Sequence, residues 1–201
     1  MLFRSDTLSL EALKAAPHGV DLGPLAPSLM QRLETPDKKI ACAPEAFVAD
    51  LKRVDEEILQ RRATPDALLL VGRRHLRSNN SWMHNSHRLT KGPRRDQLWI
   101  HPEDAARRHV ADGDLVMLSS RVGEISVTAK VTDRVMPGTV CLPHGFGQSR
   151  AGVKLKLAAA IPGASYNDVS DEGAIDPLSG NAAVNALPVS VRKSRGVTYQ
   201  K

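Results

Sequence analysis

From Ala67 onward the apolar residues fall into short runs separated by turn residues, and this spacing predicts a mainly β fold. Ala67–Val71 is an apolar run stopped by Gly72 and reads as a buried strand. Gln97–His101, Leu115–Ser119 and Thr139–Leu142 are further short strand candidates of four or five residues. Gly123–Val131 alternates most cleanly, with Ile125, Val127, Ala129 and Val131 on one face and Glu124, Ser126, Thr128 and Lys130 on the other. Leu187, Val189 and Val191 alternate in a last strand. Turns are expected at Asp112-Gly113-Asp114, Arg121-Val122-Gly123 and Met136-Pro137-Gly138. The helix in this region is Pro102–Val110, with Pro at its first turn, Glu103 and Asp104 early, and Arg107, Arg108 and His109 late, an order that suits the helix dipole. About six short strands and one short helix in roughly 130 residues predict a closed or nearly closed barrel.

Residues 1–66 follow a different pattern. Pro17, Pro24, Pro27, Pro36 and Pro44 leave no room for a long element before Pro44. Thr7–Ala16 suits a short helix capped by Thr7 or Ser9. Glu45–Arg62 is the clear helix, with Phe47, Leu51, Val54, Ile58 and Leu59 at helical spacing. The chain therefore divides into an irregular and helical lead-in, 1–66, and a barrel, 67–201. It has no internal repeat, low-complexity tract or coiled-coil heptad.

Hydrophobic residues make up 41% of the chain but aromatics only 3%, so the core must be built from Val, Leu, Ala and Ile. Cys42 and Cys141 are the only cysteines, too few for a disulfide framework or a thiolate metal cluster, and read as free thiols in a reducing compartment. No charged segment followed by an apolar run opens the chain, and no apolar run is long enough to span a bilayer. The expectation is a soluble, cytoplasmic protein without a membrane partner.

The charge is focal. Val71–Arg95 carries seven Lys/Arg and no Asp or Glu, whereas the flanking regions are balanced at nine basic to eleven acidic before it and twelve to eleven after it. The net charge of +6 thus sits in one window. Beside its cations stand His75, His84, His87, Ser78, Ser81, Asn79, Asn80, Asn85 and Trp82, the donors and acceptors that a phosphate ester bearing a polar ring would need. Charge alone leaves a solvated basic loop equally open. Two further clusters are Pro143-His144-Gly145-Phe146-Gly147-Gln148 and the Asx-rich stretch Ala164–Asn185, which on local grounds could be plain connections.

A catalytic constellation is missing. There is no H-E-x-x-H, P-loop, G-x-G-x-x-G or G-x-S-x-G motif in the required context. His84 and His87 are close in sequence but have no carboxylate or thiol beside them, so no metal site is expected. Cys141, inside an apolar strand, reads as core packing rather than a nucleophile.

The order of motifs is more specific. Leu70-Val71-Gly72-Arg73 and its polar loop are followed by I-H-P-E-D-A-A-R from Ile100. Next come A-D-G-D-L-V-M-L-S-S-R-V-G-E-I from Ala111 and V-T-D-R-V-M-P-G-T-V from Val131. P-H-G-F-G from Pro143 and D-P-L-S-G from Asp176 complete the series. Over about Asp66–Arg192 the chain resembles the C-terminal molybdopterin-dinucleotide-binding domain of the molybdenum/tungsten oxidoreductases, the group of formate dehydrogenases, periplasmic nitrate reductases and dimethyl sulfoxide reductase. The resemblance implies a six-stranded double-psi β-barrel and a molybdopterin guanine dinucleotide ligand, present as a bis form with Mo or W in the full enzyme. It places the cofactor loop on Val71, Gly72, Arg73, Arg74, His75, Arg77, Ser78, Asn79 and Asn80, extending to Trp82, His84 and Asn85. The approach of the His144-Gly145 loop to the pterins, and cofactor contacts at Asn167 and Asn185, come from the same resemblance.

The family's iron–sulfur cysteines and its metal-ligand domain have no counterpart in this sequence. The chain is therefore expected to be a terminal fragment or a separately encoded region, inactive alone, whose partners are the remaining domains of a parent molybdoenzyme, formate-dehydrogenase-like among the choices. The alternative is a binding module on the same barrel that recognises nucleic acid or protein through the basic loop 71–95. The scarcity of stacking aromatics, only Trp82 and Trp99 nearby, counts against nucleic acid.

Overall fold

The computed structural model describes residues 8–62 and 66–194. Six strands form a closed barrel: β1 Leu68–Arg73, β2 Leu98–Ile100, β3 Leu115–Ser119, β4 Glu124–Val131, β5 Thr139–Pro143 and β6 Leu187–Lys193. Around the barrel the order is β1-β5-β2-β4-β3-β6. β1 runs parallel to β5 and β2 parallel to β4, while the other neighbours are antiparallel. Exchanging β1 with β4, β2 with β5 and β3 with β6 maps this set of pairings onto itself. That internal two-fold relation is the interlocked order of a double-psi barrel.

The alternation read from the sequence is what fills the barrel. Leu68 and Leu70, Leu98 and Ile100, Val116 and Leu118, Val127 and Ala129, Val140 and Leu142, and Val189 and Val191 point inward from successive strands and are buried. Burying a side chain of this size stabilises by about 1.5–3 kcal/mol, so the small aliphatic core compensates for the scarcity of aromatics. Tyr166 and Val169, from the long connection before β6, complete the cluster.

Several boundaries move for local reasons. β1 continues past Val71, because parallel β5 offers Leu142 and Pro143 as partners for Gly72 and Arg73. The helix α5 Pro102–Arg107 stops short of the expected Val110. His109 takes a left-handed backbone, φ 53°, and Val110 N–H returns to the Ala105 carbonyl at 2.9 Å. Periodicity gave no sign of the short helices α4 His87–Thr90 and α6 Lys156–Ala160 or of the 3-10 turn Tyr166–Asp168.

The chain separates into two compact units, Met1–Pro44 and Glu45–Lys201. In the first, α1 Leu10–Ala15 is capped by Ser9, whose side chain accepts from Ala12 N–H at 3.1 Å, and α2 Leu29–Arg32 is a single turn. Thr7, the alternative cap, lies outside the described residues. In the second, α3 Glu45–Arg62 forms as expected, yet Phe47, Leu51, Val54, Ile58 and Leu59 are all exposed. The amphipathic pattern correctly marked a helix, but here that face covers no core.

Asp104 is the fully buried acid of the barrel unit. Its carboxylate pairs with Arg107 and Arg108 and accepts from Gly138 N–H at 2.6 Å, tying α5 to the turn that launches β5. Removing one partner of a buried, hydrogen-bonded charge leaves the others unsatisfied. Asp104→Ala should therefore cost about 3 kcal/mol, read as a lower urea midpoint at unchanged slope; an unaltered midpoint would refute the role.

Candidate functional site

Because β1 and β5 are parallel and in register at Arg73 and Pro143, the two loops that leave their C-terminal ends start side by side. The pairing carries on one residue further, with His144 N–H donating to the Arg73 carbonyl at 3.2 Å. The loop after β1 then folds back on itself. Ser78 N–H reaches the His75 carbonyl, Met83 N–H the Ser78 carbonyl, and Asn79 and Asn80 take left-handed backbones at φ 41° and 59°, which Asn tolerates better than most residues. Inside this fold the buried Ser78 hydroxyl and His84 Nε2 lie 3.0 Å apart, and the His84 ring packs on Phe146 with centroids 4.3 Å apart.

Gly145 joins the two loops. Its φ is +89°, and a Cβ there would lie 2.1 Å from the Asn80 carbonyl oxygen. No side chain can occupy that position without displacing backbone.

Between the loops lies a cavity of about 250 Å³ lined by Arg74, His75, Ser78, Asn79, Asn80 and His144. All six are among the residues expected from the sequence. The lining offers a guanidinium, two imidazoles, two amides and a hydroxyl, and no carboxylate. Desolvation lowers the pKa of His75, with Arg95, Arg73 and Arg77 adding to the shift. Desolvation and then Arg74 lower that of His144. His75 Nδ1 accepts from Arg77 N–H at 3.1 Å, which leaves Nε2 to carry the proton of the neutral ring.

The remaining expected residues do not line this cavity. Arg73 does not line it. Its guanidinium lies 3.8 Å from the Trp99 ring centroid and donates to the carbonyls of Arg95 and Gln97. Desolvation lowers its pKa, partly opposed by the neighbouring Cys141 thiol, whose own pKa burial raises. Asn185 Oδ1 accepts from Gly72 N–H at 2.8 Å, and Asn85 Oδ1 accepts from the N–H groups of Leu157 and Ala158 at the start of α6. Val71 is half-buried in β1, facing Cys141 in the register. Arg77, Trp82 and Asn167 are exposed, Trp82 at 83%.

The basic window thus splits into two groups. Arg73 and Arg95 satisfy backbone carbonyls, Arg95 those of Leu89 and Lys91, and Arg94 pairs with the buried Asp96. Among the described residues, Arg74, Arg77, Arg88 and Lys91 have no carboxylate within ion-pair distance. Sequence reasoning missed Tyr166, whose hydroxyl donates to the Val184 carbonyl at 2.6 Å and whose ring meets His144 edge-on. A lone aromatic among Asx residues was its only signal. Phe146 stood in the Pro143 motif and Trp99 in a predicted strand, but neither was marked as a packing partner. No group of three or more His, Cys, Asp or Glu among the described residues is placed to hold a metal ion, and no helix among them is long and apolar enough to cross a membrane.

The histidines set a pH dependence. His75, His84 and His144 are all held below 6.5, so the folded chain binds fewer protons than the unfolded one as pH falls through that value. Their contribution is complete above about pH 6.5 and is lost below it. Asp171, pushed down to about 2 by its hydrogen bond with Arg121, has a separate contribution that is complete above the usual carboxylate range and is lost as pH falls toward 2. The urea midpoint should fall between pH 7.5 and pH 5.5, and a flat profile there would contradict this reading.

Residues 68–188 match the family described as "Molydopterin dinucleotide binding domain". The arsenate respiratory reductase molybdopterin-containing subunit ArrA of Chrysiogenes arsenatis is 30% identical over 113 residues, 54% of this chain and 13% of that protein. Dimethyl sulfoxide reductase DmsA of Escherichia coli is 42% identical over 57 residues, 28% of this chain and 7% of that protein. Across such curated relatives the chain spans 6 to 13% of their length. Acetylene hydratase from Pelobacter acetylenicus shares the fold, with a TM-score of 0.50 at 20% identity over 66% of this chain and 19% of that one. With its barrel and paired loops, the chain belongs to the molybdopterin dinucleotide-binding domain family.

Proposed function

We infer that the cavity between the β1 and β5 loops holds part of a molybdopterin guanine dinucleotide, and that this barrel serves as a cofactor-holding domain of a molybdenum- or tungsten-dependent oxidoreductase. The observation that carries the reading is convergence: six polar side chains meet at one cavity with no carboxylate among them. Arg74 and Arg77 are left without acidic partners beside it. Such a lining suits a diphosphate and its hydroxyl-bearing neighbours. Neutral imidazoles of His75 and His144 can donate or accept as the ligand requires.

At about 250 Å³ the cavity is smaller than a pocket for a drug-sized molecule, so it takes one portion of a dinucleotide and the rest lies across surface that other domains would cover. The metal chemistry of such an enzyme belongs to the bound cofactor. This chain's residues supply binding and orientation. The relatives' names point toward reduction of sulfoxides, N-oxides or arsenate and lend no support to formate dehydrogenase chemistry.

The test is a titration of the full chain with GDP, followed by amide chemical shifts. Saturable shifts confined to 72–85 and 144–147 are expected. Arg74→Ala should weaken binding about tenfold or more, the worth of one charge-assisted hydrogen bond, while Arg73→Ala should mainly lower the unfolding midpoint. A wild-type response in Arg74→Ala would overturn the assignment. Silence toward GDP together with steeply salt-dependent binding of a DNA duplex would favour nucleic-acid recognition through the basic loop.

A further inference from the structure

Ser78 and His84 are buried where the β1 loop meets residues 144–147. His84 Nε2 lies 3.0 Å from Ser78 Oγ, within the loop. Across the junction the His84 ring rests on Phe146, with centroids 4.3 Å apart and planes inclined at 32°. The ring therefore fastens one wall of the cavity to the other. Ser78 is itself one of the cavity's lining residues. His84 is only 6% exposed, so water does not reach the ring while the junction is closed.

This setting suits a neutral ring. One nitrogen is engaged by Ser78, and the other, Nδ1, is buried with no hydrogen-bond partner among the described residues. A protonated ring carries two N–H donors, and the second has no acceptor in place. The surrounding charges offer no relief. His75, from the β1 loop, and Arg95, from the segment before β2, both oppose a positive ring. His84 also shares a smaller cavity of about 80 Å³ with Phe146, Arg94, Arg95, Asp96 and Ile161. Asp96 is the only carboxylate in its lining, and Arg94 already holds both its oxygens, at 3.1 and 2.6 Å. From the 144–147 loop, His144 lines the other cavity, and the Gly145 carbonyl favours the charged ring but already accepts from Gln148 Nε2. Desolvation outweighs each of these effects, and Arg95 comes next. A cation buried without a partner is costly, so charging the ring favours a form in which water reaches it.

We propose that this junction is a pH-sensitive latch on the cavity, closed while His84 is neutral and opened when His84 takes up a proton, so that the β1 loop parts from 144–147 and a bound anion is released. The release step rests on the reading of the cavity as a site for an anionic ligand, whereas the latch does not. The sign follows from linkage. The closed form binds the His84 proton more weakly than the open form, so the latch is fully closed above about pH 6.5 and opening gains as pH falls below it. The histidines that line the cavity act in the opposite sense, because charging His75 or His144 draws an anion in.

The experiment follows amide hydrogen exchange in the full chain from pH 7.5 to pH 5.5, corrected for the intrinsic pH dependence of exchange, in the wild type and in His84→Gln. Gln can still hydrogen-bond Ser78 but takes up no proton. Ser78 N–H, bonded to the His75 carbonyl at 3.0 Å, and Met83 N–H, bonded to the Ser78 carbonyl at 3.2 Å, report on the loop. In the wild type their protection should fall by up to about tenfold per pH unit below about 6.5 and stay below that of the β4 amides throughout. In His84→Gln it should not fall. A wild type without this loss, an equal loss in the variant, or protection equal to that of β4, which means global opening, overturns the latch. Should the variant fail to fold, the wild-type His84 ring signals decide. They should titrate with the 79–81 and 145–147 amides at one midpoint below about 6.5, and separate midpoints overturn the proposal. Release is read as the ratio of wild-type to variant Kd for GDP, in which the ligand's own ionisation cancels. That ratio should rise from pH 7.5 to pH 5.5, and a constant ratio removes the release step. Absent GDP binding in the wild type removes the cofactor reading itself, while the exchange data still decide the latch.

Discussion

At Gly145 the backbone passes so close to the Asn80 carbonyl that a methyl group would lie 2.1 Å from the oxygen. The cavity depends on this approach. It is possible because β1 and β5 are parallel and in register at Arg73 and Pro143, so the two loops begin as neighbours. It is held by the buried Ser78–His84 hydrogen bond and the packing of His84 on Phe146. Asn185 Oδ1 accepts from Gly72 N–H, and the Tyr166 hydroxyl, donating to the Val184 carbonyl, braces the connection before β6 internally. Strand pairing, one close backbone approach and a few buried side-chain contacts thus present Arg74, His75, Ser78, Asn79, Asn80 and His144 toward one space without a large aromatic core beneath them.

The basic window shows how positive charge divides between side chains that satisfy backbone carbonyls and side chains without an acidic partner. A loop of this length leaves many carbonyls without strand partners, and those groups must be satisfied. Arg73 and Arg95 do this work, which explains why a positively charged stretch can be partly buried without acidic neighbours. The cations left over, Arg74, Arg77, Arg88 and Lys91, have no carboxylate partner among the described residues, and Arg74 donates to Asn80 Oδ1. Counting charge in the sequence finds the window but cannot separate the two groups, because the separation depends on which carbonyls the fold brings within reach.

Strands were legible wherever one face is buried and the other solvated, as in β4, since period-two alternation records that environment directly. Barrel closure was legible from strand number, but the parallel pairing of β1 with β5 was not, since registers between distant segments leave no local pattern. The amphipathic spacing of α3 identified a helix correctly, yet periodicity says only that a face is apolar and not what covers it. At the site, residue types and motif order marked the six cavity-lining residues. Arg73, Asn85 and Asn185, marked by the same signals, make their contacts with the backbone. An amide or guanidinium that braces a loop looks the same in sequence as one that meets a ligand.

The most direct test of the account is Gly145→Ala, followed by amide chemical shifts with and without GDP. The account predicts a folded barrel, with strand resonances preserved and shift changes at Asn79–Ser81, and loss of saturable GDP binding, because the β1 loop can no longer close against 144–147. A variant that binds GDP as the wild type does, with the 79–81 resonances unmoved, would contradict it.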